Sequence, residues 1–217
     1  MPSATAKICG LTTPEAVSAA LEGGASHIGF VLFDKSPRAI TAQAAARLAA
    51  PARGRVKLVA LMVDPDDALV AEVLRTLDPD LIQLHGAEDP RRAAAVRDLA
   101  GRPTIKAIGV RESADVQAAL AYQGAADHLM FDAKPPKDAD RPGGHGAAFD
   151  WTLLKDRKFD RPWFLAGGLN PENVGRAIEL SGAQMVDVSS GVESAPGIKD
   201  AGRIAQFIAA TRQPVQA

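Results

Sequence analysis

The fold class predicted for this chain is α/β, a single (β/α)8 barrel, and three observations predict it. Eight short apolar runs recur along the sequence, most are apolar almost throughout, and an amphipathic stretch follows each one. Continuous apolar runs are how parallel strands covered on both faces read, whereas a sheet with one wet face would alternate. At 217 residues the chain has room for one such barrel, which is typically ~200 to 250 residues, so residues 1–217 are expected to form one domain.

The expected strands are Ala6–Cys9, His27–Phe33, Val56–Val63, Leu81–His85, Thr104–Val110, His128–Asp132, Pro162–Ala166 and Met185–Val188. Between them apolar residues return at helical spacing, as in Val17, Ala20 and Leu21, in Leu69, Val70, Val73, Leu74 and Leu77, in Val116, Ala119 and Leu120, in Val174, Ala177 and Ile178, and in Ile204, Phe207 and Ile208. Helix starts are predicted where a capping residue precedes proline, at Thr13-Pro14, Asp64-Pro65, Asp89-Pro90 and Asn170-Pro171, because proline has no amide hydrogen to lose there. Ser113 is expected to cap the fifth helix, and Gly23-Gly24 to close the first. Strand and helix are thus expected to alternate throughout. An open doubly wound sheet is the competing fold, and it lacks the Gly-x-Gly-x-x-Gly turn that a dinucleotide site would place after its first strand.

Charge and cysteine content narrow the function. With 25 basic against 26 acidic side chains and a formal charge of -1, nothing favours capture of nucleic acid or of an anionic membrane. A single cysteine forms no internal disulfide, as is usual in reducing compartments. Met1 to Lys7 lacks the pattern of a signal peptide and no apolar run approaches membrane-spanning length, so the expected location is cytoplasmic. Oligomeric state is left open between monomer and homodimer.

In a barrel the site lies at the carboxyl ends of the strands, and the polar residues there are Cys9, Arg38, Gln83, His85, Lys106, Asp132 and Asp187. A thiolate at Cys9 serves as a base or a nucleophile where its surroundings favour ionisation; a buried cysteine also serves as a small hydrophobe. Asp132 has apolar residues behind it, a setting in which a carboxyl works as an acid near neutrality, and the competing role is an ion pair with Lys134. Asp187 reads as an orienting group or a contact to sugar hydroxyls. Lys106 and Gln83 have an alternative as buried, paired structural groups. Arg38 presents a planar fork suited to a carboxylate or phosphate, and His85 a hydrogen-bonding group in the mouth. The histidines share no metal-like spacing with one another or with Cys9, so no metal is expected.

Glycine-rich turns follow the last two strands, Ala166-Gly167-Gly168 and Ser189-Ser190-Gly191, where barrels frequently hold phosphate on backbone amides. Gly143, Gly144 and Gly146, in the long Pro/Gly-rich segment Ala133–Ala148, are expected to add further amides.

Taken together, Lys7-Ile8-Cys9-Gly10-Leu11-Thr12, Ser36-Pro37-Arg38, Gln83-Leu84-His85-Gly86, Phe131-Asp132, Gly143-Gly144-His145-Gly146, Ala166-Gly167-Gly168-Leu169-Asn170-Pro171 and Val186-Asp187-Val188-Ser189-Ser190-Gly191-Val192-Glu193 resemble the phosphoribosylanthranilate isomerases. The resemblance implies an Amadori rearrangement of a phosphorylated aminosugar in tryptophan biosynthesis, needing no cofactor. It implies Cys9 as general base, Asp132 as general acid and Arg38 as partner of the anthranilate carboxylate. His145 and Ala166 depart from the commonest form of the glycine motifs and leave backbone amides in place. Indoleglycerol phosphate synthase would bring a catalytic lysine and an extended N-terminal region; histidine-pathway isomerases would bring paired aspartates with no place for Cys9. A non-catalytic phosphosugar sensor would need neither Cys9 nor Asp132.

Overall fold

The computed structural model describes residues 4–134 and 148–212. The apolar runs become β1 (Thr5–Cys9), β2 (His27–Val31), β3 (Lys57–Met62), β4 (Leu81–Leu84), β5 (Thr104–Val110), β6 (His128–Ala133), β7 (Trp163–Leu165) and β8 (Met185–Val188), with no end more than two residues from its expected place. These strands pair in chain order and close into a barrel, β8 returning to β1 with Thr5 opposite Met185 and Ile8 opposite Val188.

Burial on both faces explains the unbroken apolar runs. Successive side chains alternate sides, and one set, Val59, Leu81, Ile105, Ala107, Met130, Phe164 and Ala166, packs inside the ring as a cluster of its own. The other set, including Ile8, Ile28, Phe30, Leu58, Ile82, Leu129, Phe131, Leu165 and Val186, joins the larger core beneath the helices. Those helices are α1 (Pro14–Gly23), α2 (Ala42–Ala49), α3 (Asp67–Thr76), α4 (Pro90–Ala100), α5 (Ser113–Ala118), α6 (Val174–Ser181) and α7 (Ala201–Ala210). None of them is long and apolar enough to cross a membrane.

Two of the four Pro-marked helix starts hold. The side chains of Thr13 and Asp89 accept from the backbone N–H of Ala16 and Arg92, and Gly24 closes α1 in the left-handed region at φ 79°. The other two are displaced. Asp66 caps α3 instead, accepting from Leu69 N, while Asp64 takes φ 45° in the turn before it. Asn170 and Pro171 build a turn in which Asn170 Oδ1 accepts from the N–H of Glu172 and Asn173, so α6 begins only at Val174. Ser113 is the first residue of α5, with Glu112 at the cap position, and Leu120 falls in a 3-10 turn (Ala119–Tyr122) that turns it to solvent.

Among the described residues the β6–β7 connection holds only a one-turn 3-10 helix, Trp151–Leu154. Its Leu154 is buried in the core, and its Phe159 packs on aromatic rings of the flanking strands. Phe131 lies 4.9 Å from Phe159 and 5.6 Å from Trp163, centroid to centroid.

At the amino end of the barrel His27 packs edge-on against Phe164, centroids 5.3 Å apart. Burial first, then the nearby Lys7 and His128 charges, hold the His27 imidazole down to about 4 from its ordinary 6.5. Between those two pH values the unfolded chain binds the extra proton, so stability rises with pH and is lost as pH falls from 6.5 toward 4. The gap corresponds to about 3 kcal/mol at most. Urea unfolding at pH 7 and pH 4 should therefore show a smaller loss for His27→Leu than for the unsubstituted chain; equal losses would remove His27 from the account.

Candidate active site

Residues two apart on a strand share a face, so Cys9 at the end of β1 stands above Lys7 on the inner wall. Lys7 is fully buried, and its ammonium lies 2.7 Å from Asp187 Oδ1 on β8. Cys9 is only 3% exposed and packs with Val31 and Leu61. Opposite it on β2 is Gly29, where a Cβ would fall 2.9 Å from Cys9 Sγ and 3.2 Å from Lys7 Nζ. Glycine there leaves room for thiol and ammonium together. Burial pushes the Cys9 thiol up, and Lys7 acts against that. Burial also works against the Lys7 charge, but Asp187 and Cys9 outweigh it and the ammonium is held above its ordinary value.

The carboxyl of Asp132, near the end of β6, is held from two sides. Its Oδ1 accepts from Ala133 N at 2.8 Å and its Oδ2 lies 3.1 Å from His85 Nε2. Behind the imidazole, Gln83 Nε2 lies 2.9 Å from His85 Nδ1 and 3.3 Å from Met130 Sδ. Gln83, His85 and Asp132 thus form one chain of contacts. Lys134 is not its partner: it pairs with Asp115 at 2.9 Å. Gly167, at φ 84°, sits so close that a Cβ would reach 3.1 Å from Asp132 Oδ1 and 2.4 Å from Ala133 N, which ties the turn after β7 to the acid.

Arg38 is buried and its fork is occupied on one edge, Nε at 2.6 Å and Nη2 at 2.8 Å from the two oxygens of Glu193. Gly10 makes room for it, since a Cβ there would lie 2.5 Å from Arg38 Cδ. Glu193 and Lys199 come from a small hairpin after β8, β9 (Glu193–Ala195) and β10 (Ile198–Lys199). Lys199 Nζ donates to Glu193 Oε1 at 2.7 Å and to the backbone and side-chain oxygens of Ser189 at 2.9 and 3.1 Å. Burial acts upward on Glu193, but Arg38 and Lys199 hold its carboxyl below the ordinary range; burial pushes Lys199 down. Lys7, Glu193 and Lys199 were not among the candidates from sequence. Their signal was indirect: a buried guanidinium or carboxylate needs an opposite charge, and the sequence does not say which.

The turns after β7 and β8 meet. Gly167 and Gly168 both take left-handed conformations, at φ 84° and 65°. Gly191 lies in a 3-10 turn, Ser190–Val192, so close to the neighbouring turn that a Cβ would fall 1.8 Å from Leu169 O. The Ser189 hydroxyl donates to Cys9 O at 3.1 Å, binding this turn to β1. Gly143, Gly144 and Gly146 lie outside the described residues. Lys106 belongs to a different arrangement: it is buried with Glu88 at 2.6 Å and donates to Gly86 O at 2.8 Å, the paired structural role.

Proton transfer is the chemistry a thiol and a histidine-held carboxyl have in common. Fold and mouth together define the class, a (β/α)8-barrel enzyme that works by acid and base. Residues 6–210 match the family model described as N-(5'phosphoribosyl)anthranilate (PRA) isomerase. The N-(5'-phosphoribosyl)anthranilate isomerase of Caulobacter vibrioides is 56% identical over 209 residues, 96% of this chain and 95% of that one. Phosphoribosyl anthranilate isomerase from Thermotoga maritima superposes with a TM-score of 0.86 at 36% identity, covering 96% of this chain and 98% of the other. A second solved isomerase, in complex with reduced 1-(o-carboxyphenylamino)-1-deoxyribulose 5-phosphate, gives 0.82 at 33% identity over 96% and 98% of the two chains. The chain belongs to the N-(5'-phosphoribosyl)anthranilate isomerase family.

Proposed function

We propose that this chain converts N-(5'-phosphoribosyl)anthranilate to 1-(2-carboxyphenylamino)-1-deoxyribulose 5-phosphate, a step of tryptophan biosynthesis carried out in the cytoplasm. The observation that carries the reading is the His85-held Asp132 carboxyl on one side of the mouth with Cys9 above Lys7 on another. Asp132 protonates the furanose ring oxygen, and the C1'–O bond opens to a Schiff base of the anthranilate nitrogen. Cys9, as thiolate, takes the proton from C2', leaving an enolamine that tautomerises to the ketone. Each positioned acid or base typically contributes ~10²- to 10⁴-fold.

The anionic ends of the substrate are matched by the rest of the mouth. Arg38, Lys7 and Lys199 are the cations of the mouth, beside the carboxyls of Glu193, Asp187 and Asp132. The edge of Arg38 turned away from Glu193 takes the aromatic carboxylate, and the turns at Gly167, Gly168, Ser189, Ser190 and Gly191 take the phosphate. Asp187 acts through Lys7.

The test is to generate phosphoribosylanthranilate enzymatically, add the chain and follow the loss of substrate fluorescence. Saturable loss is expected; fluorescence that stays constant with active, folded protein rejects the reading. Arg38→Ala should raise KM by about tenfold or more with a smaller change in kcat, and relax the requirement for the aromatic carboxylate. Unchanged kinetics with both the native and a decarboxylated substrate would take Arg38 out of the site.

A further inference from the structure

We infer that Lys7 is the positioning residue for the Cys9 base: its ammonium, clamped on Asp187 inside the barrel, stands over Gly29 against the sulfur and balances the charge of the thiolate. This rests on the proposed role of Cys9.

An ammonium inside the ring is costly to place. Neighbouring inward positions carry Val59, Ile105 and Phe164, and a buried ion pair usually does no better for stability than well-packed apolar residues of the same volume. Packing alone therefore gives no reason for a fully buried lysine on β1. Its surroundings supply one. Asp187 takes one of the three ammonium donors, and ammonium and sulfur both border the space that Gly29 leaves open, 3.2 Å and 2.9 Å from where its Cβ would stand. Neutral and buried, Cys9 is a poor base, because desolvation works against the charged form. A fixed positive charge beside the sulfur opposes that penalty, as cationic neighbours do for reactive cysteines generally.

The other charges around the thiol come from separate elements. Asp187 on β8 opposes ionisation and Lys199 on β10 assists it more weakly than Lys7. Arg38, next to Gly10, is neutralised by Glu193, and Asp132 is engaged with His85 on the far strands. Lys7 is thus the principal cation acting on the sulfur. The proton balance is simple: the thiol loses its proton to water before substrate binds, and the thiolate regains one from C2' during turnover.

Cys9 is the only cysteine in the chain, so thiolate absorbance near ~240 nm, with Cys9→Ser as blank, reports one site without any substrate. Lys7→Met should move the titration midpoint up by about one pH unit or more, leaving roughly tenfold less thiolate at a fixed pH. The limb of the kcat/KM profile that reports the base should move in the same direction. Lys7→Arg keeps a cation and should bring the midpoint most of the way back, which a purely structural role would not do. If Lys7→Met fails to fold because Asp187 is left unpaired, K7M/D187N removes both charges and should still titrate above the unsubstituted chain. A midpoint unchanged in the folded Lys7→Met or double variant overturns the inference. Absence of isomerase turnover in the unsubstituted chain would instead reject the proposed reaction, and the substrate-free titration would still judge Lys7.

Discussion

Asp132→Asn is expected to lower kcat by at least ~10²-fold while leaving the affinity for a product analogue nearly unchanged. The amide is close in shape to the carboxyl, and its oxygen can still accept from Ala133 N, so the turn at Gly167 keeps its support. What disappears is the proton for the ring oxygen. Cys9→Ser should cost a similar factor, because a hydroxyl holds negative charge far less readily than a thiol. Steady-state kinetics with fluorescent substrate, paired with a binding titration, separates the two quantities. Full kcat in either variant would show that its residue moves no proton.

The largest expected loss of stability follows from Lys106→Met. Glu88 is completely buried, and besides Lys106 it accepts from the backbone N–H of Asp64 and of Gly86. Removing the cation strands a carboxylate in the interior, which typically costs ~3 to 5 kcal/mol, a large part of the ~5 to 15 kcal/mol that holds a domain together. K106M/E88Q keeps the acceptor without the charge, so it should recover much of the loss. Equal unfolding midpoints for Lys106→Met and the unsubstituted chain would show that the pair is not what holds this corner. Catalysis should weaken as well, since Glu88 fixes Gly86 beside His85.

The elements were legible because their signals are local. Strand runs such as Thr104–Val110 carry their burial in their own composition, and Thr13-Pro14 announces a helix without reference to the rest of the fold. At Asp64 the local signal did not decide: its side chain accepts from Ala87 N of the next strand's turn, and Asp66 caps α3 instead. The same limit applies to the site. Cys9, His85 and Asp132 end apolar strands and Arg38 lies in the loop after one, so all four were visible, but the clamp that holds Lys7 and the partner of Arg38 were not. Lys7 meets Asp187 across 180 residues and Arg38 meets Glu193 across 155. Such distances close only when the barrel does, so no window of sequence contains them.

The wedge of Gly191 under Leu169 has a consequence for how the molecule assembles. The two turns form a single seat only once β7 and β8 lie side by side, and the Ser189 hydroxyl fastens that seat to β1, the first strand of the chain. An anion that grips both turns therefore binds the finished ring and has little to hold on a chain whose last strand is undocked. By mass action a phosphate ester held there, as proposed, would favour closure and raise the unfolding midpoint.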